Sequence, residues 1–406
     1  MFERIRIERW RQFDNVDIDL RTPTTVITGA NGSGKTTILN ILSRHFGWNL
    51  QWTSTKSKKK SKSKFWSDVW DFYDASFTPK ENTIKIGDVY YRNDAKCELR
   101  VPLDVKEQYQ INYQNQQIVH GIYIPSHAQP FSYQKVQSIP ADPKTSSQHF
   151  QEYQNLLMQV YQSARAQNPG LVIKSSIIAL AVFGYGNAAV AENYEFVEIF
   201  ESFQESLRIL LPKEVGFDRI EIRMPDVVLI TDSGDFSLDS VSGGIGALIG
   251  IAWQILMYGI EKNEFVVTFD EPENHLHPAM QRELLLNLEK AFPKAKFVIS
   301  THSPFIVTSN PHAKIYALKF KNNKVESRHI EEAELSGDYN ETLQEILDVP
   351  LTIPKWVEQT AKELYKRATN QGITEESVQD FKYQLQRIGL YPQLSKMVEK
   401  LEDNDA

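Results

Sequence analysis

Apolar and polar residues alternate through the first thirty positions. Ile5 and Ile7, then Val16, Ile18 and Leu20, mark two short strands with one face toward a core, and Val26–Ile27 marks a third, buried strand. That strand runs into Gly29-Ala30-Asn31-Gly32-Ser33-Gly34-Lys35-Thr36. Beyond it Ile38, Leu39, Ile41 and Leu42 take up helical spacing over Thr37–Phe46. The order is strand, glycine loop, helix.

Further along, short strands are expected at Ile84–Ile86, Val89–Tyr91, Glu98–Val101 and Val119–Ile124, followed by a Pro-, Ser- and Gln-rich loop over Pro125–Pro143. Residues 147–210 read as mostly helical, with an apolar patch at Ile177–Phe183 and a periodic stretch at Tyr194–Leu211. Strands return at Phe217–Arg223 and Val227–Thr231. An apolar helix leads to Tyr258, Phe265–Phe269 is a strand covered on both faces, and Ala279–Ala291 is a helix. Lys296–Ser300 is another buried strand, and Ile315–Phe320 with Val325–His329 resemble an edge hairpin. Residues 333–402 are charged and helical in pattern.

Two stretches carry recognisable chemistry. Gly29-x-x-x-x-Gly34-Lys35-Thr36 matches the phosphate-loop pattern. Its glycines let successive N–H groups curve around phosphate oxygens at a helix N-terminus, Lys35 reaches the β and γ phosphates, and Thr36 offers its hydroxyl to Mg²⁺. Asn31, Gly32, Ser33, Gly34 and Thr37 complete the expected phosphate cradle. In the second stretch Asp270 and Glu271 end an apolar strand, at the edge where open α/β sheets bind ligands. A carboxylate pair there can cap a strand toward solvent. Behind a phosphate loop, Asp270 is the expected Mg²⁺ ligand and Glu271 the expected base for the attacking water.

Composition narrows the class. The chain has 406 residues, 41% hydrophobic, enough for a large core, and a formal net charge of −7 that argues against general coating of nucleic acid. One cysteine, Cys97, excludes an internal disulfide and a cysteine metal cluster. The N-terminus has no basic leader with an apolar run, and the longest apolar stretch, around Ile245–Tyr258, is too short to span a bilayer. The expectation is a cytoplasmic protein without a membrane partner. Six lysines lie between Lys56 and Lys64, and they read either as a solvated loop or as a contact for a DNA backbone.

Two more motifs fix the order: Ser240-Val241-Ser242-Gly243-Gly244 before an apolar helix, and Ser300-Thr301-His302-Ser303-Pro304 after a buried strand. With these, residues 1–330 resemble the ABC-type ATPase heads, above all the AAA-like ATPases grouped with OLD, SMC and RecF proteins. The resemblance implies an α/β P-loop NTPase of the ABC-ATPase head type, with a mixed central sheet, a strand-rich N-terminal lobe and a helical insert at about 145–212. A helical C-terminal segment, 331–406, would follow the head. ATP and Mg²⁺ are the implied cofactors. Ser242, Gly243 and Gly244 match the signature that touches ATP on a partner head, and Glu273–Pro278 matches the loop that crosses the dimer interface. His302 matches the histidine that senses the γ-phosphate, and Trp10–Phe13 resembles the family's first strand turn. The glutamine that couples Mg²⁺ to the helical lobe is placed at Gln129, with Gln134 as the alternative. Ile245-Gly246 depart from the charged or amide pair that commonly follows the signature glycines.

The segment Asn340–Pro350 resembles the tail of stand-alone ATPases of the Septu, PARIS and retron antiphage systems. By that analogy the chain is a regulatory ATPase, a homo-oligomer with ATP-dependent head pairing, acting with a separately encoded nuclease or toxin. A RecF/SMC-like DNA-repair ATPase and a transporter ATPase subunit are the competing readings.

Overall fold

A computed structural model describes residues 1–54, 82–103, 107–126, 131–139, 144–162 and 169–331, with four isolated positions beyond. The chain forms two compact units, Met1–Asp348 and Val349–Ala406, and all elements below belong to the first. The candidate glutamine Gln129, the lysine run Lys56–Lys64 and nearly all of the expected C-terminal segment lie outside the described residues.

Strands β1 (Phe2–Trp10), β2 (Phe13–Asp19) and β3 (Thr24–Gly29) lead to helix α1 (Lys35–Ser43). Then come β4 (Trp52–Thr53), β5 (Thr83–Tyr91), β6 (Lys96–Pro102), β7 (Gln108–Tyr109), β8 (Asn112–Gln114) and β9 (Gly121–Ile124). The insert is α2 (Ser146–Gln162), α3 (Pro169–Tyr185) and α4 (Tyr194–Leu210), followed by a small sheet of β10 (Phe217–Arg223), β11 (Asp226–Thr231) and β12 (Phe236–Ser237). After α5 (Gly243–Gly259) the chain alternates: β13 (Phe265–Asp270), α6 (Pro278–Ala291), β14 (Ala295–Ser300) and the short α7 (Pro304–Val307). The hairpin β15 (Lys314–Lys321) and β16 (Lys324–Ile330) follows.

Eleven strands form one mixed sheet in the order β8-β6-β5-β1-β2-β16-β15-β3-β14-β13-β9. Strands β15, β3, β14, β13 and β9 run parallel to one another, while β1, β2, β5, β6 and β8 form an antiparallel meander. Two apolar cores result. One holds β1, β2, β5, β6 and α1, through Ile5, Trp10, Phe13 and Leu39; the other holds the helical insert with α5 and α6, through Phe203, Trp253 and Leu288. Side chains alternate across β3, so Val26 belongs to the insert's core and Ile27 to the core under α1.

Three expectations need correction. The hairpin β15–β16 is not at an edge: β15 pairs with β3 and β16 with β2, in the middle of the sheet. Covered on both faces, Ile315–Leu318 is buried at four successive positions. The pieces at Ile84–Ile86 and Val89–Tyr91 are one strand, whose irregular pairing with β6 between Lys85 and Gly87 interrupts the alternation. The strand expected from Val119 begins at Gly121.

Candidate functional site

The loop between β3 and α1 is pressed from two sides. Gly29 has φ +138, and a Cβ there would lie 2.5 Å from the Leu318 carbonyl oxygen of β15. Gly34 caps α1 with φ +101, and a Cβ there would lie 2.3 Å from the Phe13 ring at the β1–β2 turn. Only glycine tolerates that conformation at that spacing. Gln12 of the same turn reaches the Gly32 carbonyl at 3.5 Å. The Trp10–Phe13 turn is thus one wall of the loop, and Arg11 lies over the Trp10 and Trp52 rings.

The Lys35 side chain is buried, 6% exposed, and Nζ donates to the carbonyls of Gly29 at 2.8 Å and Ala30 at 3.2 Å. Burial pushes its pKa down, opposed by the carboxylates of Glu271, Asp270 and Glu273. The ammonium is bonded to the loop carbonyls and lies in the field of the three carboxylates.

Thr36 and Asp270 are joined as the sequence predicts. Thr36 Oγ1 donates to the Asp270 carboxylate at 3.0 Å, and Ser300 Oγ, at the end of the neighbouring strand β14, donates to Asp270 Oδ1. Burial raises the Asp270 pKa, and the Ser300 and Thr36 hydrogen bonds oppose that shift. Glu271 follows with φ +49, a left-handed conformation that costs a non-glycine residue about 1–3 kcal/mol. Its N–H is held by the Ser300 carbonyl at 2.8 Å, so pairing with β14 continues through the bend. The bend turns the carboxylate toward His302, with Nδ1 at 3.2 Å from Oε1, while Asn274 Nδ2 reaches Oε2 at 3.4 Å.

Glu273, 6% exposed, opens the loop matched to the one that crosses the dimer interface, and its bonding to the Thr301–His302 turn was not foreseen from the sequence. Its Oε1 accepts from Thr301 Oγ1 at 2.6 Å and from the His302 N–H at 3.0 Å. Burial raises its pKa, against the Thr301 hydrogen bond, and Oε2 has no partner. Gln281 ties the same two loops together, donating to Leu276 O at 2.8 Å and accepting from Ser303 Oγ at 2.7 Å. The signal available in sequence was a glutamate two residues beyond Glu271 together with the hydroxyls flanking His302.

The signature stands apart from this network. Ser242 caps α5, its Oγ accepting from the Ile245 N–H at 3.4 Å, and Ser242 and Gly243 are exposed. Gly244 packs against the 273–278 loop so closely that a Cβ would lie 2.8 Å from the His275 carbonyl. Among the described residues no hydrogen bond joins Ser242–Gly244 to the phosphate loop. Gly243 and Gly244 are the first residues of α5, so their N–H groups have no acceptor within that helix.

The residues fit ATP and Mg²⁺. Ser33 Oγ is buried inside the loop without a partner, and the left-handed glycines Gly29, Gly32 and Gly34 curve the backbone in the way that makes anion-binding nests. One hydroxyl and one carboxylate, Thr36 and Asp270, suit a hard cation that keeps waters and takes phosphate oxygens. Among the described residues no group of three or more His, Cys, Asp or Glu could hold a metal by itself.

The model of the AAA ATPase domain matches residues 104–307, half of the chain, and a related AAA domain model matches residues 4–188. The chain belongs to the AAA ATPase domain family. It is therefore an enzyme that binds and hydrolyses ATP with Mg²⁺. Septu protein PtuA of Bacillus mycoides is 32% identical over 115 residues, 26% of this chain and 16% of that protein. The "Retron Vc95 probable ATPase" of Vibrio cholerae is 30% identical over 118 residues, 26% of this chain and 22% of that protein. These alignments thus span under a quarter of either relative. Septu protein PtuA of Bacillus thuringiensis aligns more widely, at 19% identity over 78% of this chain and 76% of its own. Among solved structures, an SMC head bound to the C-winged helix domain of ScpA superposes with a TM-score of 0.46 at 17% identity, covering 81% of this chain and 97% of that one. Among the described residues no helix is long and apolar enough to cross a membrane.

Proposed function

We propose that the chain is the nucleotide-gated regulatory subunit of an antiphage defence system, acting with a separately encoded nuclease or toxin, and that two copies complete each other's ATP sites. In this reading Lys35 and the N–H groups of Asn31–Thr37 hold the phosphates, and Thr36 and Asp270 hold Mg²⁺. Glu271 takes the proton of the attacking water, and His302, hydrogen-bonded to Glu271, senses the γ-phosphate. The observation that carries the reading is the separation of two half-sites. Thr36 of the phosphate loop is bonded to Asp270, and Glu271 to His302, while Ser242 and Gly243 face outward at a helix N-terminus that suits phosphate. A γ-phosphate cradled on one side by the loop needs donors on the other, and the signature of a second copy supplies them. The defence role is supported by the similarity to the Septu and retron proteins.

ATP then acts as glue between heads. Light scattering with and without ATP and Mg²⁺ tests this. Glu271→Gln should bind ATP, turn it over very slowly and accumulate as pairs, and adding Ser242→Arg should dissolve the pairs without loss of ATP binding. Cross-linking between the Ser242 and Gly34 neighbourhoods guards against a constitutive oligomer. No ATP-dependent closure by either method, or full turnover in Ser242→Arg, overturns the composite site. DNA contact through Lys56–Lys64 belongs to the same proposal. Replacing Lys58, Lys59, Lys60 and Lys62 with Gln should flatten the salt dependence of DNA binding and leave DNA-free turnover alone.

A further inference from the structure

Helix α3 is apolar along most of its length, yet Lys174 sits in it with its side chain fully buried. Its ammonium has three hydrogens and three partners. It donates to Asp226 Oδ1 at 2.7 Å, to Asp239 Oδ2 and to the Gln134 carbonyl at 3.1 Å, and it lies 5.1 Å from the Tyr133 ring. These partners come from three other segments: the start of β11, the turn Leu238–Ser240, and the stretch 131–139 that follows the candidate glutamine Gln129. Asp239 is 4% exposed and lies three residues before Ser242, the cap of the signature helix. One buried charge therefore fastens the insert, the small sheet and the approach to the signature at a single point.

The turn is anchored in the core by Leu238, and its own polar bonds are local, with Ser240 Oγ donating to the Ser237 carbonyl at 2.9 Å. Asp239 N–H reaches Ser237 Oγ at 3.4 Å, and Ser240 and Ser242 are exposed. After the cap, Gly243 is exposed and Gly244 packs on the His275 carbonyl, and neither glycine has a side chain to lock the direction of its N–H group. The buried ammonium holds the Asp239 side chain in direction, because a carboxylate 4% exposed that moved off Lys174 would be left unpaired in low dielectric.

We propose that Lys174 is a positioning residue for the signature: by holding Asp239 it sets the pose in which Ser242–Gly244 meet the nucleotide of a second copy. The inference rests on the composite-site reading. Lys174 touches neither nucleotide nor reacting water; it acts through the Leu238–Ser240 turn. Its loss spares the phosphate loop of its own chain and disables the site formed on the partner's phosphate loop.

The test is complementation between two defective copies of the full chain. Lys35→Ala disables a copy's phosphate loop and keeps its signature. Lys174→Met should keep analogue affinity at its own phosphate loop within about twofold of the parent and lose at least tenfold in kcat. To remove the burden of unpaired carboxylates, Lys174→Met is also made with Asp226→Asn and Asp239→Asn. Whichever form melts within a few degrees of the parent and keeps analogue binding is carried forward. Mixed with an equal amount of Lys35→Ala, it should recover turnover well above either alone, about a quarter of the parental rate at random pairing, since half of the pairs are then mixed and one of the two sites in each is whole. Ser242→Arg mixed with Lys35→Ala is the reference. If the reference recovers and the Lys174 variant does not, Lys174 serves folding or its own phosphate loop, and the proposal falls. If the reference itself fails to recover, the composite site falls and takes the proposal with it. Should both Lys174 forms fail to fold or to bind nucleotide, Lys174 is a structural residue and the proposal is wrong. Parental kcat in Lys174→Met also overturns it.

Discussion

The two halves of the candidate site are built in opposite ways. Around the phosphate loop, chemistry is closed on itself: Lys35 on the loop carbonyls, Thr36 and Ser300 on Asp270, His302 on Glu271, and Thr301 on Glu273, all at the ends of neighbouring strands β3, β13 and β14. Around the signature, the groups of interest face outward, and their support comes from behind, through the apolar helix α5 and the Lys174 cluster. A cavity of about 40 Å³ separates Glu271 from the signature helix, lined by Phe131, Gly246, Gly250 and Asn274. Strand ends can be set against each other to tenths of an ångström by sheet pairing. The signature's helix N-terminus has the His275 carbonyl against Gly244 and solvent in front of Ser242 and Gly243, so most of its support has to come from a fixed base behind.

The comparison breaks first at Glu271. Glu271→Gln preserves shape and removes the base, so single-turnover hydrolysis should slow by ~10²–10⁴-fold while ATP affinity stays near parental. An unchanged rate removes Glu271 from the wired half. A matched pair of glycine substitutions then separates the halves. Gly34→Ala puts a methyl within 2.3 Å of Phe13 at φ +101, and equilibrium binding of a fluorescent ATP analogue should weaken by about 100-fold. Gly244→Ala puts a methyl 2.8 Å from the His275 carbonyl, and turnover should fall by about tenfold with analogue binding unchanged. The opposite pattern, or the same pattern in both, would show that the halves are not functionally distinct.

The smallest effect is invisible at neutral pH. Each of the two cores is flanked by one histidine whose pKa burial pulls down to about 4: half-buried His45, in the turn just after α1, between Leu42 O and the Tyr91 hydroxyl, and His149 in the insert, against Ser176 and Trp253. A histidine lowered from 6.5 in the unfolded chain takes up its proton on unfolding. Stability is therefore full above pH 6.5 and drains as pH falls toward 4, by up to about 3 kcal/mol per residue. His45→Phe should flatten that acid limb for amide exchange in β1, β5 and α1, and His149→Phe should do so for α2, α3 and α5. If either substitution flattens both regions alike, the two cores unfold as one.

Much of the wired half was legible because its residues are contiguous in short motifs, with each group's role set by the strand end it occupies. Gly29–Thr36 and Asp270–Glu271 sit where the pattern put them. The burial of Lys35 was not legible, since a side chain's rotamer depends on carbonyls and carboxylates brought together from both motifs. The outward half was less readable. Lys174 meets Asp226 and Asp239, 52 and 65 positions away, and the only hint was a lone charge in an apolar helix. The place of β15–β16 was misread although Ile315–Leu318 carried the sign of a central strand, an apolar run without alternation.

That hairpin has a consequence for how the protein is made. β3 emerges early, yet its neighbours are β14 and β15, and β2 waits for β16. At ~5–20 residues per second, roughly 15–60 s separate synthesis of β3 from that of β15. Through that interval the first strands and the phosphate loop cannot close, because Leu318 of β15 is the wall against which Gly29 turns. A nascent chain halted near residue 310 would carry every nucleotide motif and still bind no nucleotide, with the flanks of β2 and β3 open to whatever strand or chaperone meets them first. The ATP site is thus finished last, by a segment that contributes no chemistry to it.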